Sequence, residues 1–306
     1  MTIKNALPSP SRRRVLTWGT CAALMAALPT TIAHAATPVR ADETMRRLRG
    51  LEREHSLRLG VYGRNLATGQ TVRYRASERF PICSVYKPVS AAAVLRDLDC
   101  DGTFLAKRIH YTQQDVTQAG FAPITSMPDN LANGMTVAQL CSAAVSYSDN
   151  AAANLLLRLL GGPQAVTRFC RSTGDHITRL DRYEPELNSA EPGRATDTTT
   201  PHAIGDTYAH LIDGNVLTFP KRRLLTDWML MSHTVEKLKA GLPSDWTIAD
   251  KTGGGNYGTS NDVGITWPPH QPPIVMSVLT TKTELTAPGD NTVISQTATL
   301  LARALQ

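Results

Sequence analysis

None of the eight histidines stands at the spacing of a zinc pair, which argues against a metalloenzyme. The four tryptophans show no platform spacing, so a stacked surface for carbohydrate or nucleic acid is not indicated. Internal repeats and low-complexity tracts are missing too, which excludes solenoid and linker-rich architectures. No apolar run reaches the roughly 20 residues of a membrane-spanning helix. The apolar run Val15–Ala27 follows Ser11-Arg12-Arg13-Arg14 and precedes Ala33-His34-Ala35. A basic stretch, a short apolar stretch and an A-x-A site make residues 1–35 an expected export signal, cleaved after Ala35. The arginine run before an apolar pair points to the twin-arginine route, with the general secretory route as the alternative. The expected destination is the periplasm or the medium. Removing Lys4, Arg12, Arg13 and Arg14, with no acid, lowers the net charge from +6 to +2. The basic balance therefore implies no nucleic-acid partner. Four cysteines remain: Cys83, Cys100, Cys141 and Cys170. Two disulfides are possible, but Cys141 and Cys170 sit in apolar helical patterns and read as buried thiols.

What is present is ordinary globular composition, 42% hydrophobic and 19% charged in 306 residues. Residues 41–55 read as an amphipathic helix, followed by a hairpin, Leu57–Tyr62 and Thr71–Tyr74, turning at Gly69. Helices are expected over 84–98, Val137–Tyr147, Ala151–Leu160, from Pro163 to near Gly174, Pro201–Ile212 and Lys221–Met231. Asp101–Thr136 looks irregular. The strand patterns Trp246–Thr252, Thr259–Trp267 and Ile274–Thr281 precede a closing helix. Strands at both ends and helices between them predict an α/β fold. It has an antiparallel sheet with flanking helices, built from 36–79 and 231–306, and an all-helical part over 80–230, with the site at their junction.

The chemistry begins at Cys83-Ser84-Val85-Tyr86-Lys87. If a helix starts near Ser84, the i, i+3 spacing puts the Lys87 amine beside the Ser84 hydroxyl, at the positive end of the helix. A serine hydroxyl is a weak nucleophile until a base takes its proton, and a lysine held neutral can be that base. Ser-x-x-Lys alone is as well read as a capping serine and a solvated lysine. Ser148-Asp149-Asn150 and Lys251-Thr252-Gly253 follow in chain order. Asp181–Thr200 is a long polar loop containing Arg182-Tyr183-Glu184-Pro185-Glu186-Leu187-Asn188. Such a loop needs pinning, and a bidentate Arg182–Asp197 pair is expected across its neck. Asp149 is expected to be structural, bonded to nearby backbone.

These four motifs, their order and the closing strand–strand–helix pattern resemble the class A serine β-lactamases over the whole mature chain. The resemblance implies that Ser84 attacks a β-lactam carbonyl with Lys87 helping to remove its proton. It implies that Glu184, with Asn188, holds and activates the deacylating water. Either Lys87 or Glu184 is the acylation base. Ser148 relays a proton to the leaving nitrogen, Asn150 binds the substrate's side-chain amide, and Lys251 and Thr252 hold its carboxylate. The backbone N–H groups of Ser84 and Gly254 form the oxyanion hole, and Phe121 lines the cleft. No cofactor and no metal are implied, and a monomer acting on small-molecule β-lactams is expected. Glu186 is the rival acid.

Three departures stand out. Gly255 stands where carbapenem-hydrolysing relatives carry a cysteine, so Cys83 has no partner there. Gly258-Thr259-Ser260-Asn261-Asp262 lacks the carboxylate-binding arginine of many relatives, and Lys237 is the expected substitute. Gly254 and Gly255 together suggest room for bulky oxyimino cephalosporins. The alternative function is a slow-turnover penicillin-binding DD-peptidase or a β-lactam sensor, which would lack the Glu184–Asn188 loop.

Overall fold

The protein was analysed as a computed structural model that describes residues 38–234 and 236–306. The expected export signal, and Cys21 within it, lie outside the described residues. Among the described residues, no helix is long and apolar enough to cross a membrane.

Chain order gives helix α1 (Pro38–Glu54), strands β1 (Arg58–Asn65), β2 (Thr71–Tyr74) and β3 (Phe80–Pro81), and helix α2 (Lys87–Ala93). Then come β4 (Arg108–Ile109), α3 (Gln113–Ala119), α4 (Pro128–Asn133), β5 (Met135–Thr136), α5 (Val137–Ser146), α6 (Asn150–Leu159) and α7 (Gln164–Ser172). The chain closes with β6 (Thr198–Thr199), α8 (Pro201–Ile212), α9 (Phe219–Leu230), β7 (Thr247–Gly255), β8 (Thr259–Trp267), β9 (Ile274–Thr281) and α10 (Asn291–Leu305).

The main sheet runs β2-β1-β9-β8-β7, antiparallel throughout, so the first and last strands of the chain are neighbours. Val61 faces Val278 across β1–β9, and Lys251 faces Val263 across β7–β8. The period of two sorts β9 cleanly. Ile274, Met276 and Val278 enter a core with α1 and α10, while Val275 and Leu279 enter the core shared with the central helices. Both faces of the sheet are thus covered, and the central strand β9 reads as a near-continuous apolar run. This is the α/β arrangement expected from the sequence, an antiparallel sheet with flanking helices.

Asp290 caps α10 by accepting from the N–H groups of Thr292 and Val293. The helix buries Val293, Ile294, Leu301 and Leu305, each worth about 1.5–3 kcal/mol on full burial. It lies so close to β1 that a Cβ at Gly63 would fall 2.8 Å from Leu305 and 2.9 Å from Leu301, closer than side-chain carbons pack.

The 101–136 stretch holds two short helices where irregular chain was expected. Thr112 and Asp115 close a reciprocal capping box at the start of α3, and Pro128 opens α4. The helix expected over 84–98 is also broken up. A 3-10 turn, Cys83–Tyr86, precedes α2, and a π-type turn follows at Val94–Leu98. The four cysteines among the described residues are free. Cys83, Cys141 and Cys170 are buried, and Cys100 is exposed.

Candidate active site

Four segments converge on Ser84: its own 3-10 turn, the turn between α5 and α6, the 181–198 loop and the end of β7. Gly253 packs so closely that a Cβ there would lie 3.3 Å from the Ser84 nitrogen. Ser84 is 8% exposed, while Lys87 and Lys251 are fully buried. Buried lysines demand partners, because removing an ammonium from water is costly unless it is hydrogen-bonded.

Lys87 is held by four oxygens. Its Nζ lies 3.1 Å from Glu184 Oε1, 2.6 Å from Asn150 Oδ1, 2.8 Å from the Ser148 carbonyl and 3.4 Å from Ser148 Oγ. The spacing does place Lys87 on the turn below Ser84. Among the described residues no hydrogen bond joins its amine to the Ser84 hydroxyl.

Ser148 adopts a left-handed backbone, φ 58°, between α5 and α6. This turns its hydroxyl between two lysines, since Lys251 Nζ donates to Ser148 Oγ at 3.1 Å. Lys251 also donates to the Thr252 carbonyl at 2.9 Å. Burial, and then the nearby positive charge of Lys87, push the Lys251 amine down to about 7. Beneath it Asp250 and Asp262 are buried on β7 and β8. Burial, then Asp262, raise Asp250 well above the carboxylate range, and burial raises Asp262.

Asp149 is the anchor of the turn. It caps α6 through the Ala152 N–H at 2.8 Å. It also accepts from the N–H groups of Ile124 and Thr125, at 2.9 and 2.8 Å, and from Thr125 Oγ1. The Phe121–Met127 segment is thereby tied to the Ser148 turn. Asn150 donates its Nδ2 to the Ala119 carbonyl and its backbone N–H to the Phe121 carbonyl. Phe121 itself is 60% exposed.

On the loop, Glu184 is buried while Glu186 is exposed, so the rival acid lies on the surface. Glu184 Oε2 accepts from Asn188 Nδ2 at 2.5 Å, and Oε1 also meets the Tyr86 hydroxyl at 3.4 Å. Asn188 Oδ1 is buried with no protein partner. The peptide bond Glu184–Pro185 is cis. Asn154, on α6, accepts the Glu184 N–H and donates to the Glu184 carbonyl, both at 2.9 Å. Sequence reading missed Asn154 and Tyr86. The signal for Asn154 was a polar side chain one helical turn after Asn150, flanked on both sides by Ala and Leu.

The loop's neck corrects one expectation. Arg182 meets Asp197 through Nε alone, at 2.6 Å to Oδ2, rather than as a bidentate fork. The other oxygen, Oδ1, is taken by the backbone N–H groups of Asp181 and Arg182. The Arg182 Nη2 instead faces Glu191 at 3.8 Å.

Lys237 is also buried. Its three donors reach the Gly253 carbonyl at 2.9 Å, Ser260 Oγ at 2.8 Å and the Asn261 carbonyl at 3.2 Å. Burial lowers its pKa. It thus stands directly behind the Lys251-Thr252-Gly253 strand. The two glycines that follow differ. A Cβ at Gly254 meets nothing nearer than 3.8 Å, whereas one at Gly255 would sit 2.7 Å from the Asn188 carbonyl and 3.0 Å from Cys83 Sγ. Gly255 therefore lets the loop dock on β7 and adds no space. The room expected beside the strand exists at Gly254 only. The Asn256 N–H donates to that same Asn188 carbonyl at 3.0 Å.

A model of the β-lactamase enzyme family matches residues 43–305. The chain belongs to that family. A β-lactamase of Streptomyces lavendulae is 60% identical over 298 residues, 97% of each chain. The solved β-lactamase from Streptomyces albus G is 58% identical and superposes with a TM-score of 0.85, covering 86% of this chain and 100% of that one. A β-lactamase structure from Desulfarculus baarsii, 41% identical, gives 0.83, covering 86% and 97%. The resemblance noted in the four motifs thus extends to the whole described fold. Among the described residues, no group of three or more His, Cys, Asp or Glu side chains is arranged to hold a metal ion.

Proposed function

We propose that this β-lactamase family member is a class A serine enzyme that opens the β-lactam ring of penicillins and cephalosporins, giving resistance to those antibiotics. Ser84 Oγ attacks the lactam carbonyl, and its proton passes to a base, Lys87 or Glu184. The C–N bond breaks as Ser148 hands a proton to the ring nitrogen, leaving an acyl-enzyme. Water then attacks the ester, Glu184 takes its proton, and Ser84 is restored. The backbone N–H groups of Ser84 and Gly254 receive the oxyanion. Such donors contribute about 3–4 kcal/mol in hydrolases. Lys251, Thr252 and Lys237 supply the environment for the substrate carboxylate, Asn150 its amide contact, and Phe121 the outer wall.

One observation carries this reading over that of a penicillin-binding protein without turnover. Asn188 presents a buried, unpartnered Oδ1 beside the Glu184 carboxylate that its own Nδ2 holds. A water seated there donates to both acceptors and faces the acyl carbonyl, which is what deacylation requires. We further infer export through the signal at residues 1–35 and action as a monomer. Steady-state hydrolysis of benzylpenicillin and cefotaxime tests the activity. Turnover lost in Ser84→Ala supports it, and a parent that binds one equivalent without turnover overturns it.

A further inference from the structure

A second cavity, of about 650 Å3, opens where α1 leads into β1 and β9 ends. Its walls include Phe80, Pro81 and Pro192, and it contains none of Ser84, Lys87, Ser148, Glu184 or Lys251. Its volume lies in the usual range for small-molecule sites, about 300–1,000 Å3. Part of its lining, Ala190–Arg194, belongs to the loop that carries Glu184 and Asn188.

The charge around it is lopsided, with six cationic side chains against two carboxylates, Glu52 and Glu191. Three of the cations are already matched: Arg58 to Glu78, Arg75 to Glu52 and Arg194 to Glu191. Among the described residues, the other three have no carboxylate partner. Arg53 and Lys282 make no side-chain hydrogen bond, so they remain available. Arg79 donates Nη1 to the Ile177 carbonyl and to Thr198 Oγ1, at 3.2 and 3.1 Å. Those bonds fix the guanidinium plane and leave its Nε and Nη2 without a protein acceptor. A guanidinium held in this way is ready to meet a planar or trigonal anion through two parallel bonds. The Phe80 ring lies fully buried beneath the Arg58 guanidinium, 4.1 Å from the centroid, and seats that guanidinium at the cavity wall.

We propose that this cavity is a binding site for small amphipathic anions, with an apolar body against Pro81 and Pro192 and a carboxylate or sulfonate on Arg79 and Lys282. The site is separate from the Ser84 cleft, and its occupant touches the back of the deacylation loop. The inference does not depend on the hydrolytic mechanism.

The probe is 8-anilinonaphthalene-1-sulfonate, titrated by fluorescence and calorimetry into the purified enzyme. One saturable site is expected. Its Kd should rise at least tenfold in Arg79→Glu/Lys282→Glu. N-phenyl-1-naphthylamine, which keeps the rings and lacks the sulfonate, should bind at least tenfold more weakly than the sulfonate. An unchanged Kd in a double variant that still melts cooperatively overturns the proposal, as does equal affinity for the neutral amine or binding that does not saturate. If the double variant fails to fold, Lys282→Gln replaces it. A threefold or larger rise in Kd then supports the site, and no change overturns it.

Discussion

Raising the pH titrates Lys251 within the working range of the enzyme, because burial and Lys87 bring its amine down to about 7. In the proposed mechanism the substrate carboxylate is drawn to the ammonium form. At pH 9, two units above that value, only about one enzyme molecule in a hundred carries the charge, a difference of about 2.7 kcal/mol. If Lys251 is the carboxylate anchor, kcat/KM for benzylpenicillin falls roughly fiftyfold from pH 7, where about half of the amines are charged, to pH 9 by this reasoning. The loss sits mainly in KM, because a bound carboxylate holds the proton on the amine and shifts the kcat limb upward. Lys251→Arg, whose charge persists through this range, should lower activity overall and abolish the basic limb. Stability carries the opposite sign. The unfolded lysine binds a proton between pH 7 and its ordinary value while the folded one does not, so stability rises with pH in that window. The gain is about 1.4 kcal/mol per pH unit from this group. Urea midpoints for the parent, compared with Lys251→Met, isolate it. A kcat/KM profile flat to pH 9.5, or an unchanged basic limb in Lys251→Arg, refutes the reasoning.

Further outcomes follow from the hydrogen bonds around the site. Asp149→Ala strands the N–H groups of Ile124, Thr125 and Ala152, and costs on the order of 4 kcal/mol in urea unfolding; a cost under about 1 kcal/mol would contradict the anchoring role. Asn154→Ala removes both braces from the Glu184 backbone and should lower kcat on the order of tenfold or more, with less change in KM, when the base loses its placement. An unaltered kcat rules that out. Lys237→Ala should raise KM for carboxylate-bearing substrates, while Lys239→Ala, an exposed partner of Glu236, should leave it unchanged. Equal effects would remove Lys237 from the carboxylate environment.

The sheet was legible because its later strands are eight- and nine-residue runs with ends marked by turns, and β9 is mostly apolar. Thr259–Trp267 and Ile274–Thr281 fall where their patterns put them. α3 and α4 escaped because helices of seven and six residues carry too few turns for an apolar period, and only the Thr112–Asp115 cap betrays the first. At the site, sequence motifs named the side chains but not their directions. Ser148 and Lys251 announce themselves by motif, yet the left-handed turn at Ser148 that puts its hydroxyl between two amines does not. Arg182 and Asp197 are visible as opposite charges at a loop's ends. The backbone N–H groups that claim half of the carboxylate are invisible, because every residue but proline carries one. The glycines after Thr252 look alike in sequence, and only the approach of the Asn188 carbonyl separates Gly255 from Gly254.

In the proposed mechanism Glu184 makes the difference between forming an ester on Ser84 and releasing it. Intact mass after mixing with benzylpenicillin tests it directly. The parent should return to its free mass while hydrolysing substrate, Glu184→Ala should accumulate one covalent adduct, and Ser84→Ala should form none. A parent that itself remains acylated, or a Glu184→Ala variant that turns over at the parent's rate, would contradict it.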